Sequence, residues 1–271
     1  MSIRTDLVIE EDLSKSEGLK IKRKTIGDTE IETTEITSDE VSKRINKPKG
    51  KYCTLRFKRI DGIVDTSFLK KAIVYALSQL REKPENALIA GLGNTDITPD
   101  ALGPFCANSV IATRHIPDKL KRDLGLQELN KVSCIIPGVL GKTGIEAVDI
   151  IKSTVNEIKP DYVLVIDALA AKSPENLCRT IQMTDSGIAP GSGVKNERKA
   201  INRENLGVPV IAIGIPTVID ANCLSASFSE NMMVTPKEID LLISRASDIL
   251  ARSINIFLQP SLDEETIESI S

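Results

Sequence analysis

The stretch DYVLVIDALAA, residues 161–171, decides the fold of this chain of 271 residues. A continuous apolar run of this length is typical of a strand buried on both faces of a parallel sheet. Three similar runs follow the same pattern, and they are ALIAGLGN (87–94), KVSCIIPGVLG (131–141) and VPVIAIGIPT (208–217). Together the four runs predict an α/β protein with a mostly parallel sheet.

Helical patterns separate these runs, which indicates a doubly wound sheet with helices on both faces. The predicted helices are 66–83, 100–113, 143–158, a polar segment near 173–205, and 236–258. Residues 25–36 and 52–60 have strand character and predict additional N-terminal strands. Residues 1–24 lack periodicity, so we expect an N-terminal arm or pro-segment there, followed by a single α/β domain over 25–271.

The composition narrows the function classes. The net charge of −3 argues against direct nucleic-acid binding, which usually needs a basic stripe. No apolar run is long enough to cross a membrane, and the charged N-terminus lacks the apolar segment of a signal peptide. The five scattered cysteines fit a reducing, cytoplasmic location. With one histidine, His115, a site with two histidine ligands is impossible.

Acidic side chains follow three of the four apolar runs. Asp96 and Asp100 come after the first run, Asp167 ends the strongest run, and Asp220 follows the last. Ligands of open parallel sheets bind at the carboxyl ends of the strands, so these aspartates are candidate site residues. The alternative interpretation of each is a helix cap or a turn aspartate.

Glycine-rich loops at the same strand ends do not match phosphate-binding motifs. A Walker loop ending at Gly141-Lys142-Thr143 needs a glycine where Ile136 stands, and the GLGN run (91–94) lacks the third glycine of a dinucleotide fingerprint. Because neither phosphate-binding motif is complete, we expect no cofactor.

The triplet Asp185-Ser186-Gly187 matches the motif of aspartic proteases with β-rich folds. Those enzymes carry two such triplets and this chain has one, so we do not place the site there.

A pair of carboxyl groups suits this inventory of residues. Two carboxyl groups held close together share a proton, because both cannot ionise comfortably. Such a pair can take a proton from water and protonate a leaving group without histidine, thiol, metal or cofactor. The spacing of the aspartates does not say which of them meet.

Several long blocks resemble the germination protease family of endospore-forming bacteria. The blocks are RTDL (4–7), GLGN and TPDALGP (91–104), PGVLGKTGIE (137–146), VIDALAAK (165–172), TIQMTDSGIAPGSGV (180–194), NER (196–198) and LGVPVIAIGIPTVIDA (206–221). The resemblance implies an atypical aspartic endopeptidase with an α/β fold similar to hydrogenase-maturation proteases. It assigns the catalytic dyad to Asp100 and Asp167. Independently of the resemblance, the strand-end position of the GLGN turn, with Gly93 and Asn94, makes its main-chain N–H groups candidates for an oxyanion hole, as are those of the PGVLG turn. Asp96 either tunes the dyad as a third charge or is a turn residue, the interpretation that we favour, and we expect no metal.

The same resemblance implies a biological setting. Members of the family degrade small acid-soluble spore proteins, which coat DNA, during germination in the spore core. They form homotetramers and are made as precursors that remove their own N-terminal segment. Residues 1–3 alone precede RTDL here, whereas relatives often carry a longer leader. Either the pro-segment is short, or the cut lies further into the chain, or the activation step differs.

Three alternatives stay open at this point. A cluster of Asp96, Asp100 and Asp167 binding a hard cation would make a metal-assisted peptidase of the hydrogenase-maturation type. A catalytically silent binding protein would keep the fold without cleaving its partner. A thiol mechanism would use Cys106 and His115, although a cysteine in an apolar helix is usually a small core residue.

Overall fold

Nine strands form one sheet in the part of the chain that the computed structural model describes, residues 5–11, 13, 17–58, 60, 65–190, 199–224 and 232–270. The strands are β1 (Leu19–Ile26), β2 (Thr29–Ile36), β3 (Gly50–Arg56), β4 (Asn86–Gly91), β5 (Lys131–Ile135), β6 (Tyr162–Ala171), β7 (Thr180–Thr184), β8 (Val210–Asp220) and β9 (Met233–Val234). Their order is β1-β2-β3-β7-β8-β6-β4-β5, and β9 pairs with β8.

The centre of the sheet is parallel and its flank is antiparallel. Strands β5, β4, β6 and β8 pair in parallel, as the four apolar runs predict. The remaining pairs, β1 with β2, β2 with β3, β3 with β7, β7 with β8 and β8 with β9, are antiparallel. The predicted α/β class, the mostly parallel centre and the additional N-terminal strands are thus confirmed.

Helices cover both faces of the parallel centre. The helices are α1 (Asp39–Ile45), α2 (Ser67–Leu80), α3 (Leu102–Asn108), α4 (Asp118–Asp123), α5 (Leu140–Thr143), α6 (Ala147–Ile158), α7 (Arg203–Leu206), α8 (Ile239–Leu258) and α9 (Glu264–Ile270). Leu164 and Ile166 of β6 pack with α2, α3 and α8, whereas Val163 and Val165 pack with α6 and α7. None of the helices within the described ranges is long and apolar enough to cross a membrane.

The N-terminal region differs from the predicted arm. The expected boundary at residue 24 falls inside β1, and Leu7 and Val8 are fully buried. The β1 sequence LKIKRKTI lacks an apolar alternation because β1 is the basic outer strand of the sheet and is largely exposed. The segment 25–36, expected as one strand, contains the end of β1, a turn at 27–28 and β2.

The prediction of a helix near 173–205 is also wrong. This region contains strand β7, which fills the gap between β3 and β8, and the short helix α7. The five residues of β7 are all buried although three of them, Thr180, Gln182 and Thr184, are polar. A polar strand that is buried by long-range pairing gives no periodic signal. Residues 191–198 lie outside the described part of the chain.

Strands β4 and β6 end at different levels, and this step positions the site. The last residue of β4, Gly91, pairs with Ile166, but β6 continues to Ala171 alongside β8. Helix α3 crosses the step closely enough that a Cβ at Gly103 would lie 2.4 Å from the Ile166 oxygen and 2.3 Å from the Leu92 oxygen.

The contact at Gly103 yields a test of the fold. We expect Gly103→Ala to lower the free energy of unfolding by about 1–3 kcal/mol, because the added methyl meets main-chain atoms that cannot move independently. The matched control is Gly141→Ala on α5, where nothing lies within 4 Å of the new Cβ. Urea unfolding should show Gly141→Ala unchanged or up to about 1 kcal/mol more stable. Equal midpoints for Gly103→Ala and the wild type would contradict the packing described.

Candidate active site

The GLGN turn holds Asp100 by its main chain. Gly93 has φ +124°, and a Cβ at this position would lie 1.9 Å from the Asp100 carbonyl oxygen. The Asn94 N–H donates to the same oxygen at 3.1 Å. Only glycine permits this conformation and this approach. The turn therefore serves to deliver Asp100, at the end of the 3-10 helix Thr98–Asp100, to the edge of the sheet.

Asp167 lies within β6, one residue beyond the end of β4. The Leu92 N–H donates to the Ile166 oxygen at 2.8 Å, after which the chain of β4 turns away. Asp167 is 6% exposed, and its Oδ1 accepts the N–H of Ala168 at 2.9 Å. The sequence places Asp167 at a strand end, but β6 continues past it. The strand end that creates the opening belongs to β4.

Asp100 and Asp167 line the same cavity, whose volume is about 530 Å³. The cavity lies at the carboxyl ends of the parallel strands, where Gly93 follows β4, Val139 follows β5 and Val218 belongs to the end of β8. Most of its wall is apolar. Two carboxyl groups facing an apolar, partly enclosed space form the arrangement that proton transfer to and from a bound molecule requires.

Two further carboxylates line this cavity, and the sequence did not single them out. Glu146 immediately precedes α6, within the PGVLGKTGIE block. Asp6 comes from the N-terminus and makes two main-chain contacts with β6: its N–H donates to the Ala170 oxygen at 3.1 Å, and its Oδ2 accepts the Ala170 N–H at 2.8 Å. The RTDL block contains Asp6, but an isolated acid in a polar segment gives no signal of its position.

Residues 5–11, here called the N-terminal segment, are held to the sheet by polar contacts. Gln182 of β7 accepts the Val8 N–H at 2.6 Å and donates to the Asp6 oxygen at 2.8 Å. Glu10 accepts the N–H groups of Lys172 at 2.7 Å and Ser173 at 2.8 Å, which follow β6. The N-terminal segment thus lies along the part of β6 that β4 leaves uncovered.

A second cavity of about 480 Å³ adjoins the first, and both are lined by Asp6 and Leu169. Lys47 lines the second cavity and donates to the Thr5 oxygen at 2.6 Å. Burial lowers the pKa of Lys47, and the carboxylate of Asp6 is the strongest opposing influence. The N-terminal segment therefore contacts both cavities at once.

A chain of hydroxyl groups supports the wall of the second cavity. The Ser186 hydroxyl donates to the Tyr52 hydroxyl at 2.9 Å, and the Tyr52 hydroxyl donates to the Pro48 oxygen at 2.8 Å. Thr184 and Ser186 share a hydrogen bond of 2.8 Å. Burial raises the pKa of Tyr52 to about 12, which keeps its hydroxyl proton in place.

Three other acidic candidates make contacts that stabilise the fold, and the cavity wall contains none of the three. Asp96 is exposed, forms an ion pair with Lys142 and does not line the cavity. Asp220 accepts the N–H of Asn222 at 2.9 Å as a cap. Asp185 of the aspartic-protease-like triplet accepts the N–H of Lys51 at 2.8 Å and joins β7 to β3.

The thiol and metal alternatives receive no support from this geometry. Cys106 belongs to α3 and is fully buried in the core, where burial raises the pKa of its thiol, and His115 is exposed. Within the described residues, no group of three or more histidine, cysteine, aspartate or glutamate side chains is arranged to hold a metal ion. The structure also separates Asp96 from the cavity that Asp100 and Asp167 share.

The sequence comparisons identify one family. The model of the germination protease family matches residues 1–228. A germination protease of Caldanaerobacter subterraneus is 35% identical over 100% of this chain and 98% of its own. One from Clostridium perfringens is 36% identical over 98% of both chains. A nickel–iron hydrogenase maturation protease from Thermococcus kodakarensis superposes with a TM-score of 0.42 at 19% identity, covering 68% of this chain and 98% of its own.

The buried hydroxyl chain leads to a pH-dependent prediction. We expect Tyr52→Phe to lower the free energy of unfolding by about 1–2 kcal/mol near pH 8, because the Ser186 hydroxyl and the Pro48 oxygen lose their partner. The folded pKa of about 12 exceeds the ordinary value of 10.0, so neutral Tyr52 stabilises the fold below pH 10. That contribution is lost as the pH rises from 10 to 12, so the difference between wild type and variant should shrink.

Urea unfolding at pH 8 and pH 11 measures this difference. Tyr162→Phe is the matched control, since the buried Tyr162 hydroxyl has no hydrogen-bond partner and its removal should cost nothing. A loss in Tyr162→Phe as large as that in Tyr52→Phe would contradict the assigned hydroxyl chain.

Proposed function

Because this chain belongs to the germination protease family and is therefore a peptidase, we propose that it is an endopeptidase that hydrolyses small acid-soluble spore proteins. The observation that carries the proposal is that Asp100 and Asp167 line one cavity beside the carboxyl end of β4. These are the two aspartates that the family resemblance assigns to the dyad. Family membership also supports a homotetramer in the cytoplasm of the spore core, acting on the protein substrates and not on DNA.

The two carboxyl groups act on a water molecule held between them. The ionised carboxylate takes a proton from the water while the water oxygen bonds to the carbonyl carbon of the peptide. The protonated carboxyl of the other aspartate then gives its proton to the leaving nitrogen as the C–N bond breaks. The dyad returns to its starting charge with one proton exchanged between its members.

Main-chain N–H groups stabilise the negative oxygen that forms during this attack. In the GLGN turn, the Leu92 and Asn94 N–H groups already donate to Ile166 and Asp100. The PGVLG turn (137–141), whose Gly138 and Val139 line the cavity, is therefore the better source of this stabilisation. Gly93 and Asn94 support the reaction by fixing the main chain of Asp100.

The position of Asp6 supports a proposal about the precursor step of the family. Asp6 of the N-terminal segment lines the same cavity as Asp100 and Asp167. A segment that contributes a residue to the cavity of the proposed dyad lies near the groups that would cleave it. We therefore place self-processing within residues 5–8, around Asp6.

The dyad is tested by cleavage of a small acid-soluble spore protein, followed by mass spectrometry. We expect Asp100→Asn and Asp167→Asn each to lower the rate by at least about 10²–10⁴-fold, because an amide can neither accept nor supply the proton. Asp96→Asn is the matched control, since this aspartate is exposed and lies off the cavity wall. It should cleave at the wild-type rate.

Addition of EDTA separates the dyad from metal-assisted hydrolysis. Wild-type cleavage should persist in EDTA. Loss of activity in EDTA with recovery on adding a divalent cation would favour the metal-assisted alternative. Normal cleavage by either dyad variant would refute the site assignment, and specific binding without cleavage by the processed wild type would favour the silent binding protein.

Self-processing is tested by N-terminal sequencing of purified protein during storage. We expect the wild type to lose an N-terminal peptide through a cut within residues 5–8, and Asp167→Asn to stay intact. Because the segment lies on the cavity of its own chain, the rate constant should not change across a hundredfold dilution. An apparent first-order rate constant that falls in proportion to protein concentration would show cleavage between molecules and contradict this placement.

A further inference from the structure

Strand β8 contains a bulge where it passes the site. Leu169 of β6 pairs with Pro216, but the next residue, Ala170, pairs with Val218. Thr217 is therefore an extra residue in β8 with no counterpart in β6. Bulges of this kind interrupt the alternation of a strand and redirect a side chain, and they are frequent beside active sites.

The bulge residue lies at the candidate active site. Regular alternation would place Thr217 on the same face as Ile213 and Ile215, which belong to the core. The bulge interrupts this alternation, and Thr217 lines the cavity that Asp100 and Asp167 also line. The bulge thus places a residue with a hydroxyl group at an otherwise largely apolar wall of the site.

The Thr217 hydroxyl is buried and has no hydrogen-bond partner in the part of the chain that the structure describes. The residue is 1% exposed, and its Oγ1 bonds to no atom of the described residues. Its main-chain oxygen, in contrast, accepts the Thr235 hydroxyl at 2.8 Å, so the backbone around it is held in place. A buried hydroxyl without a partner is unfavourable for folding, and such groups call for an explanation.

Comparison with two other threonines separates Thr217 from ordinary buried residues. Thr29 and Thr54 are also buried and unpartnered, but neither lines the cavity with the two aspartates nor occupies a bulge. Thr217 alone among these three combines an unpartnered hydroxyl, a position in a bulge and a place at the site. That combination fits a group whose partner arrives with the substrate.

We infer that the Thr217 hydroxyl binds the peptide substrate by a hydrogen bond to its main chain beside the scissile bond. The inference rests on the proposed peptidase function. A hydroxyl can donate to a carbonyl oxygen or accept from an N–H, and a peptide offers both. Thr217 lies on the strand next to β6, opposite residues that follow Asp167, so its bond positions the peptide relative to the dyad.

The test compares Thr217→Val, which keeps the shape but removes the hydroxyl, with Thr217→Ser, which keeps the hydroxyl. We expect Thr217→Val to lower kcat/KM for a small acid-soluble spore protein about tenfold, and Thr217→Ser to stay within about threefold of the wild type. Thr54→Val is the matched control and should cleave normally. The urea midpoint of Thr217→Val should equal or exceed that of the wild type, because an unsatisfied hydroxyl is removed.

Each outcome decides the matter. Normal cleavage by Thr217→Val refutes this inference and leaves the proposed function standing. A lowered urea midpoint for Thr217→Val would show that the hydroxyl has a partner within the folded chain, and this also refutes it. Absence of cleavage by the processed wild type refutes the proposed function and, with it, a substrate-binding role for Thr217.

Discussion

The step between β4 and β6 is the constraint on which the rest of the site depends. Because β4 stops at the level of Ile166, the following residues of β6 pair with a strand, β8, on one side only, and the N-terminal segment lies along the other side. The turn after β4 must reverse tightly to leave this space open, and Gly93 makes the reversal possible. One difference in strand length therefore produces the cavity, the place of Asp167 on its wall and the approach of Asp100.

The same step concentrates negative groups in apolar surroundings. Asp6, Asp100, Glu146 and Asp167 line one cavity, and Asp167 is almost fully buried. Burial of carboxylates is unfavourable unless hydrogen-bond donors compensate for lost water. Main-chain N–H groups of β6 provide part of that compensation, from Ala168 to Asp167 and from Ala170 to Asp6. The carboxyl groups of the site therefore lower the stability of the fold.

Local sequence signals were sufficient for the parallel centre and insufficient for its surroundings. Apolar runs predicted β4, β6 and β8 because their own apolar side chains fill the core, and they predicted the edge strand β5, which adds Val132 to it. Strand β7 and the N-terminal segment are polar and become buried only through partners far away in the chain, such as Gln182 with Val8. For the same reason the pairing of Asp100 with Asp167 was predicted only from the family resemblance. The positions of Asp6 and Thr217 at the cavity became visible only in the three-dimensional structure.

The distances along the chain between these partners have a consequence for biosynthesis. Val8 and Gln182 are separated by 174 residues, and Met233 of β9 also belongs to the cavity wall. A ribosome releases the N-terminal segment long before it makes β8 and β9. The wall of the cavity can therefore be complete only after Met233 has left the ribosome. The order of synthesis thus separates the making of Asp100 and Asp167 from the closing of the cavity that they line.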